Sequence, residues 1–279
     1  MHDPLPSDPP EHPRVLARLC EEFARTAGEH VRNRAGDHGG VAATKSSAVD
    51  VVTAVDTESE ALLREMIARA RPDDAVLGEE AGTSTGTSGL TWVLDPIDGT
   101  VNYLYGIPSY AVSVAVVAGD PDPAAWNQLA GCVHAVADGT TWTAARGEGA
   151  WRDGTRLGPR PEPPLAESLI GTGFGYDAAK RGRQGQVVAR MLPSVRDIRR
   201  IGSAAIDLCL VADGRLDAFF ENGLNPWDMA AGSLVITEAG GVVEDLDGGR
   251  PRREMTLAGP AGLVRELADL LRTCDAESV

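Results

Sequence analysis

Carboxylates at chain turns are the side chains of this sequence best placed to do chemistry. Asp50 and Asp56 lie in VDVVTAVD, Glu79 and Glu80 follow AVLG, and Asp95 and Asp98 lie in LDPIDGT. Glu221 closes RLDAFFE and Asp228 opens WDMAAG. The segment WVLDPIDGT carries the most information. Asp95 follows an apolar run that reads as a buried strand, and Pro96, with no N–H to give, is expected to end the ladder and force a turn. That turn can bring Asp95 and Asp98 to one side, with the Ile97 carbonyl between them. Two carboxylates and a carbonyl are hard oxygen ligands of the kind that suits Mg²⁺. Gly99 permits close backbone approach, and Thr100 falls in the first turn of a short helix expected over 99–105, whose N–H groups would face an anion. A bare DxxDG also suits a helix cap and a loop acid. The strand before it, the proline and the GT after it favour the metal reading. Taken singly, Glu79-Glu80 suit a solvated face, and Asp56 and Asp228 suit helix caps.

These acids must be positioned by elements that the patterning outlines. Apolar residues at helical spacing (Leu16, Leu19, Cys20, Phe23, Ala27, Val31) predict a helix over 14–35, and Leu62, Leu63, Met66 and Ile67 predict a second from about Asp56 to Ala70. AVLG (75–78) and TWVL (91–94) read as strands and 81–89 as a surface loop. Residues 111–118, 129–136 and 140–145 read as an antiparallel meander, with Asp138-Gly139 as a hairpin turn and 149–157 as a further hairpin. The second half alternates: strand 168–174, helix 178–192, helix 202–214, strand 215–221, helix 227–240, strand 241–246 and helix 260–273. The expected architecture is α+β, with layered sheets between helices and two tightly packed α/β halves, about 14–160 and 161–273. Residues 1–13, with five prolines, read as a disordered leader, and 274–279 as a tail.

Composition narrows the partners. The chain has 279 residues and a net charge of −15, which disfavours nucleic acid as a partner. An anionic substrate therefore needs metal ions or a local positive field. No apolar run is long enough to span a membrane and no signal peptide is evident, so a cytoplasmic protein is expected. The four scattered cysteines read as reduced, buried thiols, and the five histidines have no ligand spacing; His134 reads as a core or edge residue.

In combination these segments resemble the inositol monophosphatase family, the magnesium-dependent, lithium-sensitive phosphatases. The matching pieces are KSSAVDVVTAVD (45–56), GEE (78–80), WVLDPIDGTVNY (92–103), GSAA (202–205) and ENGLNPWDMAAG (221–232). The resemblance implies the layered αβαβα sandwich shared with fructose bisphosphatases. It implies Mg²⁺-dependent hydrolysis of a small phosphorylated polyol or related ester by activated water, with no phosphoenzyme. It places one ion on Glu79, Asp95 and the Ile97 carbonyl, a second on Asp95, Asp98 and Asp228, and a third, weaker one near Glu79. Thr100 and Asp56 would form the proton-accepting dyad, and the Gly99 and Thr100 N–H groups would hold phosphate oxygens. Glu221 would accept a hydroxyl of the substrate's alcohol, beside a wall of Gly202, Ser203 and Ala204. Lys45, otherwise a surface charge, would be a lid residue, and Trp227 would buttress Asp228. Arg199 and Arg200 suit equally a surface pair or a contact with substrate or a second subunit. The GSAA start favours inositol 1-phosphate over histidinol phosphate, fructose 1,6-bisphosphate or adenosine 3′,5′-bisphosphate. A regulatory binding protein is the competing class, and a homodimer is the expected assembly.

Overall fold

The structure, a computed structural model, describes residues 12–35, 43–44 and 51–278. Most of the expected leader and Lys45 lie outside these residues. The elements run α1 (Pro13–Arg34), β1 (Ala43–Thr44), β2 (Val51–Val52), α2 (Ala54–Ala70), β3 (Ala75–Gly78), β4 (Gly82–Ser84), β5 (Leu90–Asp98), α3 (Thr100–Tyr105), β6 (Ala111–Ala118), β7 (Asn127–Ala135), β8 (Thr141–Ala145), β9 (Gly149–Arg152) and β10 (Thr155–Arg156). They continue with β11 (Leu169–Thr172), α4 (Ala178–Met191), β12 (Asp197–Arg199), α5 (Ala204–Ala212), β13 (Ala218–Glu221), α6 (Pro226–Glu238), β14 (Val242–Glu244), β15 (Thr256–Gly259) and α7 (Ala261–Thr273).

An eight-stranded sheet has the order β10-β9-β8-β7-β6-β5-β3-β4, and a five-stranded sheet the order β12-β11-β13-β15-β14. In the large sheet only β3 and β5 pair in parallel; in the small one β11 is parallel to both β12 and β13. Strand alternation explains the layering. Along β6, Val112, Val114 and Val116 face a core shared with Leu16, Cys20 and Phe23 of α1 and Leu63 of α2. Ala111, Ala115 and Val117 face the opposite core, shared with Leu208 of α5 and Met229 and Val235 of α6. On β13, Phe219 joins that middle core, while Phe220 joins a third with Val187, Met191, Leu263 and Leu267 of α4 and α7. The result is the expected αβαβα sandwich. No helix among the described residues is long and apolar enough to cross a membrane.

Several boundaries differ from the reading of the sequence. Pro96 does not end its strand. β5 runs on to Asp98, and its register with β6 passes from Asp95↔Ser113 to Asp98↔Ala111, so one extra residue bulges out. A bulge leaves the proline without an unmet ladder bond. Within the supposed loop 81–89, β4 pairs antiparallel with β3. Pro13 belongs to α1, at a position where a missing N–H costs nothing. At the other end, Cys274 and Ala276 pack into the third core and do not form a loose tail.

Candidate functional site

The β5 bulge turns the Asp95 and Asp98 side chains toward one cleft. Ile97 N–H donates to Asp95 Oδ1 at 3.1 Å, which fixes the turn. Gly99 has φ 97°, and a Cβ there would lie 3.0 Å from Ser109 O and 3.1 Å from Gly202 O, so a side chain is excluded on both counts. Thr100 begins α3 with its Oγ1 2.9 Å from Asp56 Oδ1 and 3.0 Å from the Ile97 carbonyl oxygen. Asp56 sits in the first turn of α2. Its Oδ2 accepts from Thr53 N at 2.8 Å and from Thr53 Oγ1, so it caps the helix with one oxygen and meets Thr100 with the other.

The second half supplies the opposite wall. Asp228, in the first turn of α6, accepts from Asn225 N at 2.6 Å. Asp98 Oδ2 accepts from Ser203 Oγ at 2.6 Å and from Ala205 N at 2.7 Å, which ties β5 to the start of α5. Asp95, Asp98 and Asp228 each offer an oxygen, and these lie within 4.8 Å of one another. Glu79 lies on the same cleft. Its turn is clamped by Glu60 of α2, which accepts from Glu80 N at 2.7 Å and Ala81 N at 3.0 Å and pairs with Arg64. Glu221 ends β13 against Gly173, where an added Cβ would lie 2.0 Å from Glu221 Oε2. The cleft has a volume of about 400 Å³ and is also lined by Gly99, Thr100, Gly202, Ser203, Ala204 and Trp227.

So many acids in one cleft raise one another's pKa. Asp95 is pushed well up, first by burial and then by the charges of Glu79, Asp98 and Asp228. Asp228 is also pushed well up by burial and by Glu79 and Asp98. Asp98 is raised by burial, against the pull of its bonds from Ser203 and Ala205. Burial raises Glu221 to about 7, opposed by Arg200 and Lys180. A site whose oxygens resist ionisation together is a site that a divalent cation relieves.

Of the expected site residues among those described, all but Asp56 line this cleft, and Asp56 reaches it through Thr100. The arginine pair splits. Arg200 faces the cleft, where its charge bears on Asp98, Asp207 and Glu221, whereas Arg199 pairs with Asp197 at 2.6 Å on the surface. Trp227 lines the cleft with its Nε1 buried and unpartnered among the described residues. His134 is a core residue, with Nδ1 2.8 Å from Thr141 Oγ1, and all four cysteines are buried free thiols. The sequence reading missed Glu60, Asn102 and Asp207. Asn102 Nδ2 donates to Ser109 O at 2.7 Å and Ile201 O at 2.9 Å, which closes α3 onto the second half. Asp207 is 1% exposed, its Oδ1 has no hydrogen-bond partner among the described residues, and burial together with Glu221 and Asp98 raises its pKa well above the usual range. Only a partner distant in the chain reveals such roles.

Comparisons with known proteins agree with this geometry. The model of the Inositol monophosphatase family matches residues 13–274. An inositol-1-monophosphatase SuhB of Mycobacterium tuberculosis is 44% identical over 274 residues, covering 92% of this chain and 90% of its own. A Nus factor SuhB of Haemophilus influenzae is 35% identical over 263 residues, covering 93% and 96%. The solved structure of Mycobacterium tuberculosis SuhB superposes with a TM-score of 0.80 at 41% identity, covering 96% of this chain and 99% of that one. A match across the whole described fold, with a carboxylate cleft where its two sheets meet, leaves one conclusion: the chain belongs to the inositol monophosphatase family and is a phosphatase.

Proposed function

We propose that the chain hydrolyses inositol 1-phosphate to inositol and phosphate, with Mg²⁺ held in the cleft. The observation that carries this is the convergence of Asp95, Asp98 and Asp228 within 4.8 Å, beside a Thr100–Asp56 pair at 2.9 Å. The donor set fits the ion: all its members are hard oxygens, and their raised pKa values express a missing positive charge. Glu79, Asp95 and the Ile97 carbonyl would hold one ion and Asp95, Asp98 and Asp228 a second, with a third, weaker site near Glu79. Bound there, Mg²⁺ supplies an acidified water and neutralises the charge of the phosphate and the departing alkoxide.

The chain's own groups do the rest. With its proton donated to Asp56, Thr100 Oγ1 turns a lone pair outward and can take the proton of the attacking water. Asp56 cannot swing away, because Thr53 holds its other oxygen. The Gly99 and Thr100 N–H groups hold phosphate oxygens, and in-line attack inverts phosphorus without a phosphoenzyme. Glu221 accepts a substrate hydroxyl. Gly202 and Ala204 line that wall together with the backbone of Ser203, whose hydroxyl is already given to Asp98. The name of the mycobacterial relative supports inositol 1-phosphate over other esters. A regulatory role, which the name of the Haemophilus relative raises, would require neither the Thr100–Asp56 pair nor the ligand set. A cytoplasmic homodimer sensitive to Li⁺ completes the proposal.

The test is phosphate release with Mg²⁺ from inositol 1-phosphate, histidinol phosphate, fructose 1,6-bisphosphate and adenosine 3′,5′-bisphosphate. Preference for inositol 1-phosphate is expected, lost on chelation and in Asp95→Asn. Preference for another ester overturns the substrate assignment. Full activity of Asp95→Asn overturns the ligand assignment.

A further inference from the structure

Glu60 is a buried carboxylate to which the proposed hydrolysis gives no part. It follows Asp56 by one turn of α2 and is 1% exposed. A carboxylate so deep is costly unless its oxygens are bonded. Here the bonds come from its own helix and from a turn of another element. Arg64, one turn further along α2, donates Nε to Glu60 Oε1 at 2.7 Å. Ala81 N donates to the same oxygen at 3.0 Å, and Glu80 N to Oε2 at 2.7 Å. Gly78 makes the approach possible, since a Cβ there would lie 2.3 Å from Glu60 Oε1. Arg64 reaches past Glu60 and donates Nη2 to Gly82 O. One helix thus holds the chain on both sides of Glu79.

Strand register shows what that hold accomplishes. β3 pairs in parallel with β5, Gly78 beside Leu94, so Glu79 and Asp95 are the next residues out. Glu79 N donates to Leu94 O at 3.2 Å, and the Glu79 and Asp95 carboxyls share a hydrogen bond. To take a cation both must be ionised, and two carboxylates side by side repel. Asp95 cannot retreat, because it stands inside β5 with Ile97 N on its Oδ1. Glu79 stands just past the end of β3, where a turn could open. Bonds from N–H groups to a carboxylate are about twice as strong as those between neutral groups, so Glu60 anchors this turn better than water or a backbone carbonyl would.

We propose that Glu60 is a positioning residue: by anchoring the Glu80 and Ala81 N–H groups it keeps Glu79 beside Asp95 against their repulsion, and so sets the affinity of the metal site to which Glu79 belongs. The inference rests on the ligand assignment proposed above. It also discriminates between ions. Among the described residues Glu60 makes no bond to Asp95, Asp98 or Asp228, so the ion held by those three is indifferent to it.

The test reads metal binding itself. Mn²⁺ is titrated into full-length protein without substrate, and the free ion is followed by its electron paramagnetic resonance signal, which the bound ion loses. Glu79→Gln marks the sites that depend on Glu79. Glu60→Gln should weaken those same sites by about tenfold to a hundredfold and leave the remaining site within about twofold. In the Glu79→Gln protein the further change Glu60→Gln should then alter Mn²⁺ affinity by less than about twofold. If Glu60→Gln does not fold, Gly78→Ala tests the same contact with every charge kept, because its methyl group displaces the Glu60 carboxylate. Wild-type Mn²⁺ binding by Glu79→Gln overturns the ligand assignment and this inference with it. Weakened binding by Glu79→Gln but not by Glu60→Gln or Gly78→Ala overturns this inference alone. So does equal weakening of every site in Glu60→Gln, the sign of a general loosening.

Discussion

At Thr100 the hydroxyl lies 2.9 Å from Asp56 Oδ1 and 3.0 Å from the Ile97 carbonyl oxygen, and Asp56 is in turn held by Thr53. Removing that hydroxyl leaves the proposed binding groups in place and takes away the proposed proton acceptor. Thr100→Ala should therefore lower kcat by about 10²-fold or more with KM little changed, measured by steady-state phosphate release. A pure KM effect would contradict the dyad. Glu221 stands apart from the ligand cluster on β13, so its amide should affect the alcohol and spare the phosphate. Glu221→Gln should shift preference among polyol phosphates while a generic aryl phosphate is hydrolysed nearly as before. Equal loss on both would make Glu221 structural. That Asp95, Asp98 and Thr100 would share one cleft was legible in the sequence because they lie within one short segment. Glu60 was not, since its role is to receive the N–H groups of Glu80 and Ala81 from a different element. Asp207 looked like any helical acid and shows its burial only in the packed chain.

Among elements, the contact between β7 and α6 sets where Asp228 stands. Gly131 of β7 packs so closely on α6 that an added Cβ would lie 2.9 Å from Ala231 Cα, a backbone atom that cannot turn aside. Gly131→Val should cost about 1–3 kcal/mol, read as a lower melting temperature, and should weaken Mg²⁺ affinity because α6 is pushed off the sheet. Wild-type metal affinity in that variant would show that α6 does not depend on this contact. The helices α1 and α2 were legible through their apolar stripes, and α4 and α7 were expected close to their observed ranges. Five short strands were not. β1, β2, β4, β12 and β15 have two to four residues, too few for alternation to register, and they exist because a neighbouring strand offers them a ladder. The continuation of β5 past Pro96 was hidden for a similar reason, since a bulge is defined by the partner strand's register.

Across the whole molecule the cleft is a reservoir of unfavourable charge. Asp95, Asp228 and Asp207 are raised by burial and by neighbouring acids, Asp98 by burial, and Glu221 by burial to about 7. A carboxyl raised in the folded state binds protons more tightly there than in the unfolded chain. Its contribution to stability is complete below the unfolded pKa and is lost as pH rises through the folded one. In EDTA the melting temperature should thus fall between pH 5 and pH 8. Mg²⁺ replaces the missing protons, so the gain in melting temperature on adding it should be larger at pH 8 than at pH 5. An equal gain at both values would mean that the acids are not the metal's ligands. The layered fold itself was legible because both faces of β6 are apolar, which only a sheet covered on both sides explains.

The acids of the cleft are far apart in the order of synthesis. Glu79, Asp95 and Asp98 leave the ribosome early, but Ser203 and Ala205, which orient Asp98, follow more than a hundred residues later, and Asp228 later still. A nascent chain can fold its large sheet from the N-terminal side first, yet it carries an open, half-built acid patch until α6 emerges. Translation that stops before residue 228 therefore leaves the three early acids in place, with Ser203 and Ala205 already available to Asp98, and withholds both Asp228 and the α6 layer of the middle core.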